Sequence, residues 1–278
     1  MSPTAAPKPR ADARRRPKVR LDQLLVDRGL AETRTKAQAL VLAGKVRVGE
    51  GNAARRDRKP GDALDPTTPV DIDAPQPYVS RGGHKLAAAL DAFGIDPTGK
   101  HALDVGASTG GFTDVLLQRG ARHVYALDVG RGQLAESLRG DARVTSLERT
   151  NARTLGASTL PDPIDLAVID VSFISLDKVL APVVTTLAAK AHVVALVKPQ
   201  FEAGKGRTDK GVVRDPVVHR EVLERVTTYA RQHAGLGTRA VMASPILGPE
   251  GNREFLIHLT AGPGCADLSE RIEEVTTP

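Results

Sequence analysis

Apolar positions in the first seventy residues follow two helical periods and then an alternation. Between 19 and 29, Leu21, Leu24, Leu25 and then Leu30 recur at helix spacing, and Gly29 suits a C-terminal cap. Thr33 can cap a second helix carrying Ala37, Leu40 and Val41, which Gly44 ends. Residues 45–48, Lys-Val-Arg-Val, alternate charged and apolar as a half-buried strand does, and Gly49 and Gly51 mark a turn. The proline-rich stretch 62–73 closes a small sheet. Pro66, Pro69, Pro75 and Pro77 mark the approach to a linker.

Beyond it, strand and helix patterns alternate. Residues 84–93 read as a helix with Leu86, Leu90 and Phe93 on one face. Strands are expected at 101–105, 124–128, 144–147, 166–170 and 193–197. Helices are expected at 112–118, 176–187 and 216–233. The run 193–197 is continuously apolar, as in a strand covered on both faces. Two last strands, 239–243 and 254–259, flank a turn holding Pro245, Gly248, Pro249 and Gly251 and read as an antiparallel hairpin. The expected class is therefore α/β: a Rossmann-like, doubly wound and mostly parallel sheet behind a small α+β head. Ligands of such sheets sit outside the carboxyl ends of the strands. The expected boundaries are a disordered basic tail 1–18, a head 19–75, a linker 76–83, a body 84–268 and a C-terminal tail 269–278.

Composition narrows the function. A chain of 278 residues that is 41% hydrophobic supports one or two packed domains. No apolar run approaches the roughly 18 residues of a membrane helix, so no membrane partner is expected. One cysteine, Cys265, permits no intrachain disulfide and fits a reducing cytoplasm. Residues 1–60 hold 16 Lys or Arg against 6 Asp or Glu, a net +10 in a chain of net +6, so the remainder carries −4. A basic head on a mildly acidic body points to a polyanionic partner.

The first body strand runs into Asp104-Val-Gly106-Ala107-Ser108-Thr109-Gly110-Gly111. This is G-x-x-x-G-G, not the G-x-G-x-x-G of dinucleotide folds, which disfavours an NAD-dependent enzyme. A carboxylate at Asp104 would repel a diphosphate but suits an ammonium group, such as that of S-adenosyl-L-methionine. Asp128, ending the next strand, can accept hydrogen bonds from ribose hydroxyls. Asn151 can read an adenine edge. Four further polar residues reach the same sheet edge: Lys85, Asp170, Lys198 and Glu254. The histidines and the cysteine show no ligand spacing, so no metal is expected. The segment 204–215, with Lys205, Arg207, Lys210 and Arg214, reads either as an RNA-contacting or closing loop or as a mobile solvent loop.

Two resemblances add to this reading. RLDQLLVDRGLAETRTKAQALVLAGKVRVG (20–49) resembles the S4 RNA-binding domain. That resemblance implies RNA contacts by Arg20, Arg34, Lys36, Lys45 and Arg47, through phosphate neutralisation rather than base stacking. The stretches YVSRGGHKL, LDVGASTGGFTDVLLQRGA, LERTNAR, DVSFISL, LVKPQFEAGKG and SPILGPEGNREFL resemble the TlyA family of ribosomal RNA 2'-O-methyltransferases, sometimes labelled hemolysins. The catalytic half of that family is similar to FtsJ-type ribose methyltransferases. The resemblance implies a class I methyltransferase sheet, the cofactor S-adenosyl-L-methionine held at 104–111, Asp128, Asn151 and Asp170, and ribosomal RNA or ribosomal subunits as partners of a monomeric cytoplasmic enzyme. Its Lys-Asp-Lys-Glu tetrad falls on Lys85, Asp170, Lys198 and Glu254. Lys198 would be the base for a ribose hydroxyl, with its pKa lowered by like-charge repulsion from Lys85. Asp170 is followed by Val-Ser-Phe, not by the Pro-Pro-Tyr or Pro-Pro-Phe of exocyclic-amine methylation, so a ribose oxygen, of cytidine by resemblance, is the expected acceptor. A non-catalytic RNA-binding assembly factor is the alternative. A membrane-lytic role finds no amphipathic or apolar segment in support.

Overall fold

The computed structural model describes residues 17–73, 76–204 and 206–277, with the side chain of Asn52 left aside. The basic tail therefore lies almost wholly outside the described residues. The chain divides into two compact units, 1–75 and 76–278.

In the first unit, strand β1 (Val19–Arg20) leads directly into helix α1 (Leu21–Asp27), and Thr33 caps helix α2 (Arg34–Leu42) by accepting the Lys36 amide at 3.2 Å. The helix expected to begin at 19 thus starts two residues later. Val19 and Arg20 pair instead with strand β3 (Ala63–Leu64), while strand β2 (Val46–Val48) pairs with β4 (Val70–Ile72), both antiparallel. Leu21, Leu24, Leu25, Ala37, Val41, Val46 and Val48 close one small core.

The second unit opens with helix α3 (Gly82–Phe93), followed by β5 (His101–Val105), α4 (Gly111–Gln118), β6 (His123–Leu127), α5 (Glu136–Arg139), β7 (Val144–Leu147) and β8 (Ile164–Ile169). Then come α6 (Leu180–Val184), β9 (Leu187–Val197), α7 (Pro199–Glu202), α8 (Pro216–His233), β10 (Leu236–Ala243), β11 (Phe255–Ala261) and α9 (Leu268–Thr276). The sheet order is β10-β11-β9-β8-β5-β6-β7. The run from β9 to β7 is parallel, and β11 is antiparallel to both its neighbours. Alternation along each strand feeds two cores. Ala102 and Leu166 face α3, α4 and α5, whereas Leu103, Val105 and Ala167 face α6, α8 and α9.

Three expectations fail here. The helix expected at 176–187 is a single 3-10 turn (Leu176–Lys178) and five residues of α6. The Thr185 and Thr186 hydroxyls donate to the carbonyls of Pro182 and Val183 and end it, and β9 begins at Leu187. The segment 76–83 is docked rather than linking. Val79 N–H donates to Asp114, Gln118 donates to the Pro77 carbonyl, and a Cβ at Gly83 would lie 2.4 Å from the Tyr78 side chain, so only glycine lets that ring lie on α3. The C-terminal tail is helix α9, whose Ile272 joins the core between α8 and β10. Among the described residues no helix is long and apolar enough to cross a membrane.

Candidate active site

The carboxyl ends of β5, β6, β8 and β9 open on one edge, and the residues just beyond them line two cavities. One, of about 530 Å³, is lined by Lys85, Gly106, Ala107, Ser108, Thr109, Gly111, Asp170, Ser172 and Lys198, with Ser80, Arg81 and the 246–249 loop completing the wall. The other, of about 380 Å³, is lined by Gly106, Ser108, Asp128, Asn151, Ala152, Asp170, Ser172 and Phe173. Both include Gly106, Ser108, Asp170 and Ser172, so the cavities adjoin along the glycine turn.

That turn is fixed from below. Gly106 has φ +86°, and a Cβ there would sit 2.5 Å from the Asp170 carbonyl oxygen. Glycine therefore lets the β5 and β8 ends close together. Asp128 accepts the Ser108 amide at 2.8 Å and the Gly130 amide at 2.7 Å, which ties the turn to β6. Asn151 spends its Oδ1 on the Arg153 amide at 3.1 Å.

Asp104 is placed differently from the expectation. It is wholly buried and lines neither cavity; one carboxyl oxygen accepts both the Thr113 amide (2.9 Å) and the Thr113 hydroxyl (2.7 Å), anchoring α4. Its other oxygen has no partner among the described residues. Burial pushes its pKa up to about 7 against the Thr113 hydrogen bonds, with Asp170 and Asp128 adding repulsion. A cationic group at this end of the turn would relieve that unpaired oxygen. Gly110 also lines neither cavity; it starts α4 with φ +95° beneath Leu134 and Leu138.

The four candidate catalytic residues form two nearly buried ion pairs. Lys85 Nζ, on α3, donates to Glu254 Oε2 at 2.5 Å, and the two side chains are 9% and 0% exposed. Glu254 lies just before β11, outside the cavity lining, and reaches the site through Lys85. Lys198 follows β9 at the start of α7, with Pro199 in its first turn. Its Nζ lies 2.6 Å from Asp170 Oδ1 and donates to Ser172 Oγ at 2.8 Å. Each amine thus has its own carboxylate, Glu254 for Lys85 and Asp170 for Lys198.

Three neighbours escaped the sequence reading. Ser172 holds the Lys198 amine. Phe173 is 90% exposed in a left-handed conformation (φ +62°), with its ring 4.9 Å from that of Phe201. Buried Glu202 accepts the Ser175 hydroxyl and the Leu176 amide and pairs with Arg225 at 2.9 Å, tying the loop after Asp170 to the helix after Lys198. An aromatic placed in a polar loop was the only signal available, for Phe173.

In the head, the candidate RNA contacts are mostly paired. Arg20 and Arg34 both bond buried Asp22, Lys36 pairs with Glu32, and Arg47 with Asp71 and Asp73. Lys45 is exposed. In the 204–215 loop, Lys205 lies outside the described residues. The rest is fastened, because Asn252 donates to the Gly211 carbonyl and accepts the Val213 amide, and Arg207 pairs with Glu221.

Comparison with known proteins agrees with this layout. Residues 78–261 match the FtsJ-like methyltransferase family and residues 19–51 the S4 domain. The 16S/23S rRNA (cytidine-2'-O)-methyltransferase TlyA of Mycobacterium tuberculosis is 49% identical over 87% of this chain and 90% of its own length. Hemolysin A of Brachyspira hyodysenteriae is 40% identical over 86% of this chain and 99% of its own. A solved hemolysin structure from Streptococcus thermophilus superposes with a TM-score of 0.72 at 44% identity, over 94% of each chain. On these matches, the chain belongs to the TlyA family, in which an S4 domain precedes an FtsJ-like methyltransferase domain.

Proposed function

We propose that this enzyme methylates a ribose 2'-oxygen of ribosomal RNA, at cytidine, working where ribosomes are made in the cytoplasm. The observation that carries the reading is the Lys198 amine, which lines the 530 Å³ cavity and is held by Asp170 and Ser172, two residues that line both cavities. The substrate class follows the activity named for the Mycobacterium tuberculosis relative.

S-adenosyl-L-methionine, when bound, supplies an electrophilic methyl carbon on a sulfonium. The residues present fit it. Asp128 and Asn151 suit the ribose and base in one cavity, and the 106–111 turn beside the unpaired Asp104 oxygen suits the methionyl end in the other.

A 2'-hydroxyl is a weak nucleophile at neutral pH. It would gain reactivity by passing its proton to the Lys198 amine as it attacks the methyl carbon that the bound cofactor would supply. Asp170 balances the ammonium that results. Lys85, held in place by Glu254, stabilises the negative charge developing on the oxygen from a preset position. Since the attack is in-line, holding the sugar and the methyl in register supplies much of the rate. Phe173, exposed at the rim, offers a face for a nucleobase.

The test is transfer of a labelled methyl to ribosomal subunits and to protein-free ribosomal RNA, followed by mapping of the label. Label on ribose 2'-oxygens is expected. Label on base nitrogens or carbons, or none on any RNA, overturns the reading.

A further inference from the structure

Among the described residues, Asp22 is the one fully buried carboxylate of the head. Four donors converge on it. Arg20 binds it with a two-pronged fork (Nε at 3.0 Å, Nη2 at 2.9 Å), Arg34 Nε donates at 3.1 Å, and Gln38 Nε2 at 2.8 Å. Hydrogen bonding from Arg20 first, against burial and with help from Gln38 and Arg34, holds its carboxyl well below the usual range. The two arginine side chains remain about half exposed, 50% each. Among the described residues Arg34 uses only Nε, which leaves both its terminal nitrogens available. Gly61 backs the Arg20 guanidinium; a Cβ there would lie 3.2 Å from Nη1. One acid therefore fixes two planar cations from different elements, β1 and α2, with their outer edges in solvent.

We propose that Asp22 is a positioning residue for RNA binding: it presets the Arg20 and Arg34 guanidiniums as a paired phosphate clamp. The proposal rests on the reading of the head as the RNA grip. Its physical basis is that a guanidinium already held in place loses little freedom when it meets a phosphate, and a planar fork keeps donors free at its far edge.

The sign of one substitution separates positioning from charge. Asp22→Asn removes a negative charge from the head. Electrostatics alone predicts tighter RNA binding and a steeper salt dependence. Positioning predicts binding weakened roughly tenfold, the scale of one charge-assisted hydrogen bond. The measurement is filter binding of the full-length protein to purified ribosomal RNA across a KCl series, with head folding followed by circular dichroism. Arg20→Lys is the companion variant. It keeps the charge and loses the fork, and is expected to weaken binding in a folded head even if Asp22→Asn unfolds. In an Arg20→Ala, Arg34→Ala background, Asp22→Asn is expected to add nothing. Unchanged or tighter binding by folded Asp22→Asn, or unchanged binding by Arg20→Lys, overturns the proposal. No loss of binding in the double arginine variant overturns the RNA-grip reading itself.

Discussion

The head and the body use the same kind of ion pair in opposite ways. In the head, a buried acid holds two half-exposed arginines whose outer edges face water. In the body, two nearly buried lysines that line a cleft each meet a carboxylate. Exposure decides what the cation does. Arginine at the surface stays charged and offers donors to a polyanion. A nearly buried lysine at a cavity wall presents one compact amine, fixed by its carboxylate, to whatever enters the cavity.

The sharpest break of this contrast is Lys198→Ala. Methyl transfer is expected to fall by about 10²–10⁴-fold, the usual share of a positioned base, while cofactor affinity by calorimetry stays nearly unchanged. A near-normal rate would make Lys198 a bystander. Next is Glu254→Ala, which strands the Lys85 charge in a buried setting. Breaking such a pair costs roughly 3–5 kcal/mol, read as a lowered denaturation midpoint. Removing the exposed partner Glu32 from Lys36 should barely move the same curve.

A smaller effect concerns pH. His258 is buried, stacks on His192 and Phe93, and makes a 2.9 Å ring-nitrogen hydrogen bond with His192. Burial first, then His192 and Arg239, brings its pKa down to about 4, and burial and Lys100 lower that of His192. The unfolded state then binds more protons than the folded state below the ordinary histidine value of about 6.5. Stability should be full above that value and fall as pH drops towards 4, by about 2–3 kcal/mol. Denaturant curves at pH 7 and 4.5 measure it, and His258→Gln should flatten the change. The smallest effect is at the rim. Phe173→Ala should weaken RNA binding by roughly tenfold, the low end of base stacking on an aromatic, without touching the folded core. Equal binding by that variant would remove the aromatic from the site.

Much of this was legible along the chain. Apolar runs bounded by glycine and acidic residues located β5, β6, β8 and the core of β9, and a lysine directly after such a run located Lys198. Side-chain direction was harder. Asp104 sits between Leu103 and Val105, so strand alternation itself turns it to the Ala102 side, under α4 and behind the cavity lining. Helix α9 was missed because its apolar positions, Leu268, Ile272 and Val275, are sparse among acids and read as a tail. Arg34 and Gln38 reach Asp22 from 12 and 16 positions away, a convergence set by how α1 and α2 pack, which no local period encodes.

The central claim is a location: the cofactor's sulfur at the junction of the two cavities, facing the Lys198 amine. A crystal structure with S-adenosylhomocysteine tests it directly. The account predicts adenosine beside Asp128 and Asn151, the amino-acid end along the 106–111 turn, and the sulfur directed at the opening between Lys198 and Phe173. Electron density elsewhere, or a sulfur directed away from Lys198, would contradict it.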